Sequence, residues 1–506
     1  MNVENDAKAY FIGIAVILLL SGCSLQRKGL HKLNDVLRSS GICIGCTAVC
    51  MMLSAYGLLQ YFGTVPSRHF AFPITGTYEN PAGFAAVQAA LFPYALVLCL
   101  DKERKRLICC FAGLTAVACS LTIILSGSRA GLLALCAAAA VVFAFKTRVL
   151  SIFKTHKWLL IVLIPVAAIS SFFLYHIKAD SANGRLFVWS TCCDLIKERP
   201  LLGYGVGGIE KYYMDAQAAY FSMHPDSQYV MLADNVTHPF NEYIKLTVNY
   251  GLVGLMIALC LLALTVKRLM KSREKVKVTG LAVTASVFVM CQFSYPFHYA
   301  AVWLISAMAV IPAFFGENEK DRATPMYLRI SLPIMLSLLL MVVLRMLYLD
   351  LKWAEMSKRS LAGHTERMLP YYEQMKPQMK HNPLFLYNYA AELNYIGRYE
   401  ESLAITEECR QGWNDYDVQI LLADNLENTK RTDSAIKAYR HASDMIPCRF
   451  EPLESLMSLY LNSADTLNAV IVAGEIMSKP VKVESMRVDQ IRKEAQGLLQ
   501  KCSPQE

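Results

Sequence analysis

Two arginines, a histidine and an Asn–Glu pair are the residues of this chain whose types and settings suit chemistry on a phosphate-bearing substrate. Arg129 lies in Ser126-Gly127-Ser128-Arg129-Ala130-Gly131, and Arg185 follows Asn183-Gly184 with Trp189 four residues on. His238 opens Thr237-His238-Pro239-Phe240-Asn241-Glu242-Tyr243. A guanidinium binds phosphate oxygens through two parallel N–H donors, and an imidazole exchanges protons near neutral pH. Together they suit a phosphate or diphosphate donor attacked by an acceptor hydroxyl. Asn80, in Gly76-Thr77-Tyr78-Glu79-Asn80-Pro81, and His298 are further binding candidates, with Trp189, Asn241 and Glu242. His238-Pro239 predicts a helix start with proline in the first turn, which would bring Asn241 and Glu242 beside His238. The run Gly203-Tyr204-Gly205-Val206-Gly207 lacks the strand–turn–helix setting of a phosphate cradle, so it predicts a loop with glycine-specific backbone angles.

The elements that must position these residues are membrane helices. Hydrophobic residues make up 55% of the 506 and charged residues 18%, far from the balance of a soluble protein. The charge of +9 needs no nucleic-acid partner, because many Lys and Arg residues flank apolar runs. Runs near the length of a bilayer crossing predict about ten spans, at 9–23, 42–62, 83–100, 107–126, 130–145, 158–175, 243–265, 278–296, 299–316 and 327–348. The fold class is therefore all-α: a polytopic helical domain over 1–348, followed by soluble helices over 350–506.

Lys and Arg collect in the loops after spans one, three, five and seven, for example Lys102, Arg104, Lys105 and Arg106 after span three. The positive-inside rule makes these loops cytoplasmic and both termini external. Arg129, the large loop at about 176–242 and His298 then share the outer face, where charges at a membrane edge are functional candidates. Leu20-Ser21-Gly22-Cys23 has the form of a lipoprotein cleavage box, but the region before it lacks the net positive charge of a signal peptide. Cys43, Cys46 and Cys50 share one helical face and predict helix packing rather than a metal site. Cys192 and Cys193 are adjacent in the outer loop, where a disulfide to a partner is open to them. Neither a metal nor a cofactor is expected.

With these motifs in this order, the chain resembles the O-antigen ligase/polymerase superfamily, bacterial enzymes that move glycans from undecaprenyl diphosphate on the periplasmic side. The resemblance covers about residues 40–310. It rests on Gly76–Pro81, Ser128–Gly131, Arg185 with Trp189, Pro200-Leu201-Leu202-Gly203 and Gly205, and His238 through Glu242 leading to Tyr250-Gly251-Leu252-Val253-Gly254. It implies a multi-helix, metal-independent glycosyltransferase of the inner membrane with a large periplasmic loop. In that family setting Arg129 and Arg185 would hold the diphosphate, and His238 would activate or orient the acceptor. The acceptor would be lipid A-core for a ligase, a growing glycan for a polymerase, or a protein hydroxyl for an oligosaccharyltransferase. Family members commonly have a dozen or so helices with the N-terminus inside. Many carry a second Asn in the turn that here reads Asn80-Pro81-Ala82-Gly83. The rival class is a membrane scaffold or transporter, whose charged residues would be expected near the bilayer midplane.

The C-terminal part repeats. A step of 33 residues takes Ser402 to Ala435 and one of 34 takes Ala435 to Ala469, with Pro383, Pro447 and Pro480 punctuating the units. Small residue, aromatic and late proline at this spacing predict a tetratricopeptide-like α-solenoid. On the charge-derived topology it is periplasmic, and it offers a surface for a protein partner.

Overall fold

The computed structural model describes residues 40–147, 179–314 and 326–502, and every regular element among them is helical. The expected spans at 9–23 and 158–175, the basic loop after span one and the Leu20–Cys23 box lie outside the described residues. The chain divides by contact into two compact units.

The first unit holds α1 (Ser40–Tyr61), α2 (Pro81–Cys99), α3 (Arg106–Leu125) and α4 (Arg129–Lys146). It also holds Phe240–Tyr243, α7 (Glu242–Met270) from Met256 onward, α8 (Glu274–Phe293), α9 (Ala300–Phe314) and α10 (Met326–Arg359) as far as Leu351. Among the described residues six helices are long and apolar enough to cross a membrane: α1, α2, α3, α4, α7 and α8. The chain is a multi-pass membrane protein. The ninth expected span emerges as a helix of only 15 residues, Ala300–Phe314.

Helix α2 is the core of this unit. It is buried from Gly83 to Leu98 and packs on α1, α3, α4, α8 and α9. A helix apolar on all sides is stable only when surrounded, and small residues let its neighbours come close. The Ser286 hydroxyl reaches the Ala89 carbonyl at 2.8 Å, and a methyl group on Gly131 would sit 2.8 Å from Ala85 Cβ. The single amide of α2, Gln88, donates to Ser54 Oγ at 2.8 Å and accepts from Cys50 Sγ at 3.2 Å. Cys46 and Cys50 pack inside this core, while Cys43 lies at its margin.

Ion pairs fix which loops share an end of the unit. Lys146 at the close of α4 pairs with Glu274 at 2.8 Å, and Lys275 pairs with Asp101 at 3.2 Å and Glu103 at 2.8 Å. The loops after α2, α4 and α7 thus converge. The N-termini of α2 and α4 and the C-terminus of α8 lie at the opposite end.

The second unit joins α5 (Ala179–Glu198), α6 (Gly208–Met223) and the chain up to Pro239 with Ile244–Leu255 of α7 and with the helices after Lys352. The latter are α11 (Thr365–Met379), α12 (Pro383–Tyr395), α13 (Tyr399–Arg410), α14 (Tyr416–Asn428), α15 (Thr432–Met445), α16 (Glu451–Asn462), α17 (Thr466–Ser478) and α18 (Met486–Cys502). From α11 on, each packs against the next. Ser402, Ala435 and Ala469, the small residues of the repeat, are all fully buried. Only a small side chain fits where paired helices approach.

These helices do not stand alone within the unit. Gln217 of α6 donates to the Met445 carbonyl at 2.6 Å, and Asp215 accepts from Asn414 at 2.9 Å and pairs with His441 at 2.8 Å. Cys192 is buried against Tyr213 in the shared core, whereas its neighbour Cys193 is exposed.

Candidate functional site

The candidate residues fall into both units, and each unit assembles its own set. In the first, Arg129 is the opening residue of α4 and is half-buried. The preceding turn uses Gly127 at φ 70°, and Ser128 caps the helix by accepting from the Gly131 amide at 3.2 Å. Contact between Gly131 and Ala85 sets this helix start against the first turns of α2.

Asn80 caps α2. Its Oδ1 accepts from the amides of Ala82 at 2.9 Å and Gly83 at 3.1 Å, the usual role of asparagine at a helix start. The remaining contacts of its side chain join a tyrosine pair. Nδ2 donates to Tyr295 Oη at 3.0 Å, and Tyr299 Oη donates to Oδ1 at 3.3 Å.

The His238-Pro239 segment departs from the expected helix start. Helix α7 begins at Glu242, because Phe240 turns the chain with φ 54° and Asn241 caps the helix, accepting from the Tyr243 amide at 2.9 Å. Asparagine outcompetes a His-Pro start since its side chain satisfies an otherwise unpaired helical N–H. Asn241 and Glu242 therefore do not occupy the first turn of a helix that starts at His238. Asn241 also donates to the Gln292 carbonyl at 3.1 Å, and Glu242 Oε1 accepts from the Phe297 amide at 3.2 Å. That amide belongs to the short turn Pro296–His298, in which His298 is exposed with its ring 5.9 Å from that of Tyr295. Asn80, Glu242 and His298 thus meet around Tyr295 and Tyr299, two residues that the motif reading did not single out.

In the second unit, Arg185 and Trp189 sit one turn apart on α5, hence on one face. The Trp189 indole N–H donates to the Pro239 carbonyl at 2.8 Å. One hydrogen bond thereby joins the helix of Arg185 to the residue after His238. His238 is half-buried, and its Nδ1 lies 3.4 Å from Lys245 Nζ, which in turn pairs with Glu210 Oε1 at 2.8 Å. Lys245 carried a signal in sequence, as the lone charge from Tyr243 to Val266. Glu210 carried none, because only folding brings the first turn of α6 to it.

The glycine run buttresses this arrangement. Helix α7 breaks at Gly251, whose φ is 65° and ψ −171°. The break leaves backbone groups without helical partners, and the loop supplies them. The amides of Tyr204 and Gly205 donate to the carbonyls of Val248 and Asn249 at 2.9 and 2.7 Å. The amides of Leu252 and Val253 donate to the carbonyls of Pro200 and Leu201 at 2.8 and 3.2 Å. Irregular backbone in a membrane helix requires this kind of satisfaction. Gly203, Gly205 and Gly207 all have positive φ, as their spacing suggested, and the amides of Tyr204 and Gly205 are already used. Asn249 adds a side-chain acceptor for the Ile209 amide at 3.3 Å, tying the start of α6 to the same break.

Residues 114–259 match the model of the family described as O-Antigen ligase. This stretch holds Arg129, Arg185, Trp189, His238, Asn241, Glu242, Lys245 and Gly251, but neither Asn80 nor His298. A protein of Rickettsia conorii named "Putative polysaccharide ligase" is 26% identical over 134 residues, which is 26% of this chain and 31% of that protein. One of the same description from Rickettsia prowazekii is 29% identical over 116 residues, 23% of this chain and 26% of that protein. The chain thus spans under a third of the length of these relatives. The stretch that carries both arginines, His238 and the broken helix is similar to the O-antigen ligase family and to these two proteins named as putative polysaccharide ligases.

Proposed function

We propose that this chain is a glycan transferase of the O-antigen ligase kind, working at the periplasmic face of a bacterial inner membrane. The donor is a glycan on undecaprenyl diphosphate and the acceptor presents a hydroxyl, with lipid A-core as the leading choice. The acceptor oxygen bonds to the anomeric carbon, and the bond from that carbon to the diphosphate breaks. The lipid diphosphate leaves with the electron pair, and the hydroxyl proton goes to a base.

Arg129 and Arg185 are the groups assigned to the diphosphate, since guanidinium matches its geometry and charge. His238 serves the transfer, either taking the hydroxyl proton or orienting the reactants. Trp189, Asn80, Asn241, Glu242 and His298 shape the surroundings, and the reading assigns no metal or cofactor. The repeat helices are read as a tetratricopeptide-like periplasmic module for acceptor or protein-partner capture.

The observation that carries this reading is the link from the helix of Arg185, through Trp189, to the His238-Pro239 segment, inside the stretch that matches the family. The surface glycan of a strain lacking the chain tests it. Loss of all long chains from lipid A-core marks a ligase, and chains of a single repeat unit mark a polymerase. Altered glycoproteins with unchanged surface glycan mark transfer to protein. Unchanged glycans of every kind would overturn the enzyme reading in favour of a scaffold or transporter.

A further inference from the structure

Glu210 and Lys245, which lead to His238 in a chain of polar contacts, have no part in the transfer as described. Lysine ammonium has only donors, so at 3.4 Å Lys245 Nζ donates and His238 Nδ1 accepts. Lys245 Nζ also pairs with Glu210 Oε1 at 2.8 Å. Glu210 is itself fixed by the backbone. It lies in the first turn of α6, after Gly207 in the left-handed conformation, and its carbonyl accepts from the Asn414 amide at 3.1 Å. Its other oxygen, Oε2, is buried without a hydrogen bond among the described residues, which leaves Lys245 as its compensating partner. Lys245 in turn rides on the short helical segment ahead of the break at Gly251, so Glu210 and Lys245 are both carried by helices.

An imidazole whose Nδ1 accepts carries its proton on Nε2. We propose that Lys245, clamped by Glu210, is a positioning residue that locks His238 in the Nε2–H form, so that His238 donates a hydrogen bond to a diphosphate oxygen of the donor lipid rather than accepting the acceptor's proton. This rests on the assignment of His238 to the transfer. The hydroxyl proton then passes to the departing diphosphate, whose oxygens gain basicity as the bond to the anomeric carbon breaks. The balance of atoms is unchanged, and no neutral base is required at His238.

Tautomer mimics in the full-length chain, reconstituted in proteoliposomes with a lipid-diphosphate glycan donor and its acceptor, test the proposal. The amide nitrogen of Gln stands near Nε2 and that of Asn near Nδ1. His238→Gln is expected to fall about tenfold, and His238→Asn and His238→Ala on the order of a thousandfold, the range of a lost transition-state donor. Lys245→Met is expected to fall about a hundredfold in the His238 background, with Lys245→Arg restoring most of the rate. In the His238→Gln background Lys245→Met should cost nothing further, since an amide has no tautomer to fix; such non-additivity is the mark of a coupled pair. A merely structural lysine would cost the same in both backgrounds and would overturn the proposal, as would His238→Gln being as inactive as His238→Ala. Full activity of His238→Ala would instead overturn the assignment of His238 on which the proposal rests.

Discussion

The indole N–H of Trp189 and the carbonyl of Pro239, 2.8 Å apart, join the helix of Arg185 to the strained segment that carries His238. Trp189→Phe keeps the ring and removes the donor. Its effect on stability should be about 1 kcal/mol, because Pro239 is buried and its oxygen loses a partner. Its effect on transfer should be larger, about tenfold or more, since misplacing a reacting group by an ångström is costly. Thermal unfolding and turnover measured on the same preparation check this, and a loss of stability with unchanged turnover would contradict it.

The broken helix gives a steric prediction. A Cβ on Gly251 would lie 2.1 Å from the Leu201 carbonyl oxygen, whereas one on Gly205 meets nothing within 4 Å. Both have positive φ, which costs an L-residue about 1–2 kcal/mol. Gly205→Ala should therefore lose about that much, and Gly251→Ala should lose more, failing to accumulate as folded protein. Size-exclusion profiles of the two detergent-solubilised variants report the difference. Equal profiles would contradict the docked loop.

Much of this was legible in the sequence. Apolar runs gave the described spans, since bilayer thickness leaves little choice of helix length. The basic loops share one end of the first unit because the helices alternate in direction. Glycine at 203, 205 and 207 announced positive φ. The start of α7 was misread because Pro239 mimics a first-turn proline, while the true cap, Asn241, lies two residues on. The break at Gly251 was hidden inside an apolar run, because hydropathy does not report backbone angle. Glu210 and the tyrosines at 295 and 299 gain their roles only from contacts distant in sequence.

Asn80 separates a structural role from a binding one. Its oxygen caps α2 and its amide holds Tyr295. Asn80→Ala should lower stability by about 1–2 kcal/mol, the range for a lost cap, and Asn80→Asp should recover the cap. If Asn80 acts chiefly as a cap, the half-saturating donor concentration should follow stability across the two variants. A change in that concentration in Asn80→Asp at unchanged stability would instead assign Asn80 to substrate binding.

Asp415 makes the second unit lose stability as pH rises out of the mildly acid range. Burial lifts its carboxyl from the ordinary 3.8 to about 6, although the Val418 amide and Asn235 favour the charged form. Between about pH 4 and pH 6 the folded chain therefore holds a proton that the unfolded chain releases. Its contribution to stability falls as pH rises through that window, by an amount on the order of 1–3 kcal/mol, and the penalty is complete above it. Thermal unfolding from pH 4 to 7 should show a shallower decline in Asp415→Asn than in the wild-type chain. Parallel curves would contradict the assignment.

If the arginines and His238 serve transfer from a lipid diphosphate, each should be needed for turnover. The most direct measurement is release of undecaprenyl diphosphate, with transfer of labelled glycan, by purified full-length chain in proteoliposomes supplied with donor and acceptor. The wild-type chain should support both, and Arg129→Ala, Arg185→Ala and His238→Ala, folded and inserted to the same level, should each lose at least about a hundredfold. Undiminished release and transfer by all three variants would contradict that role.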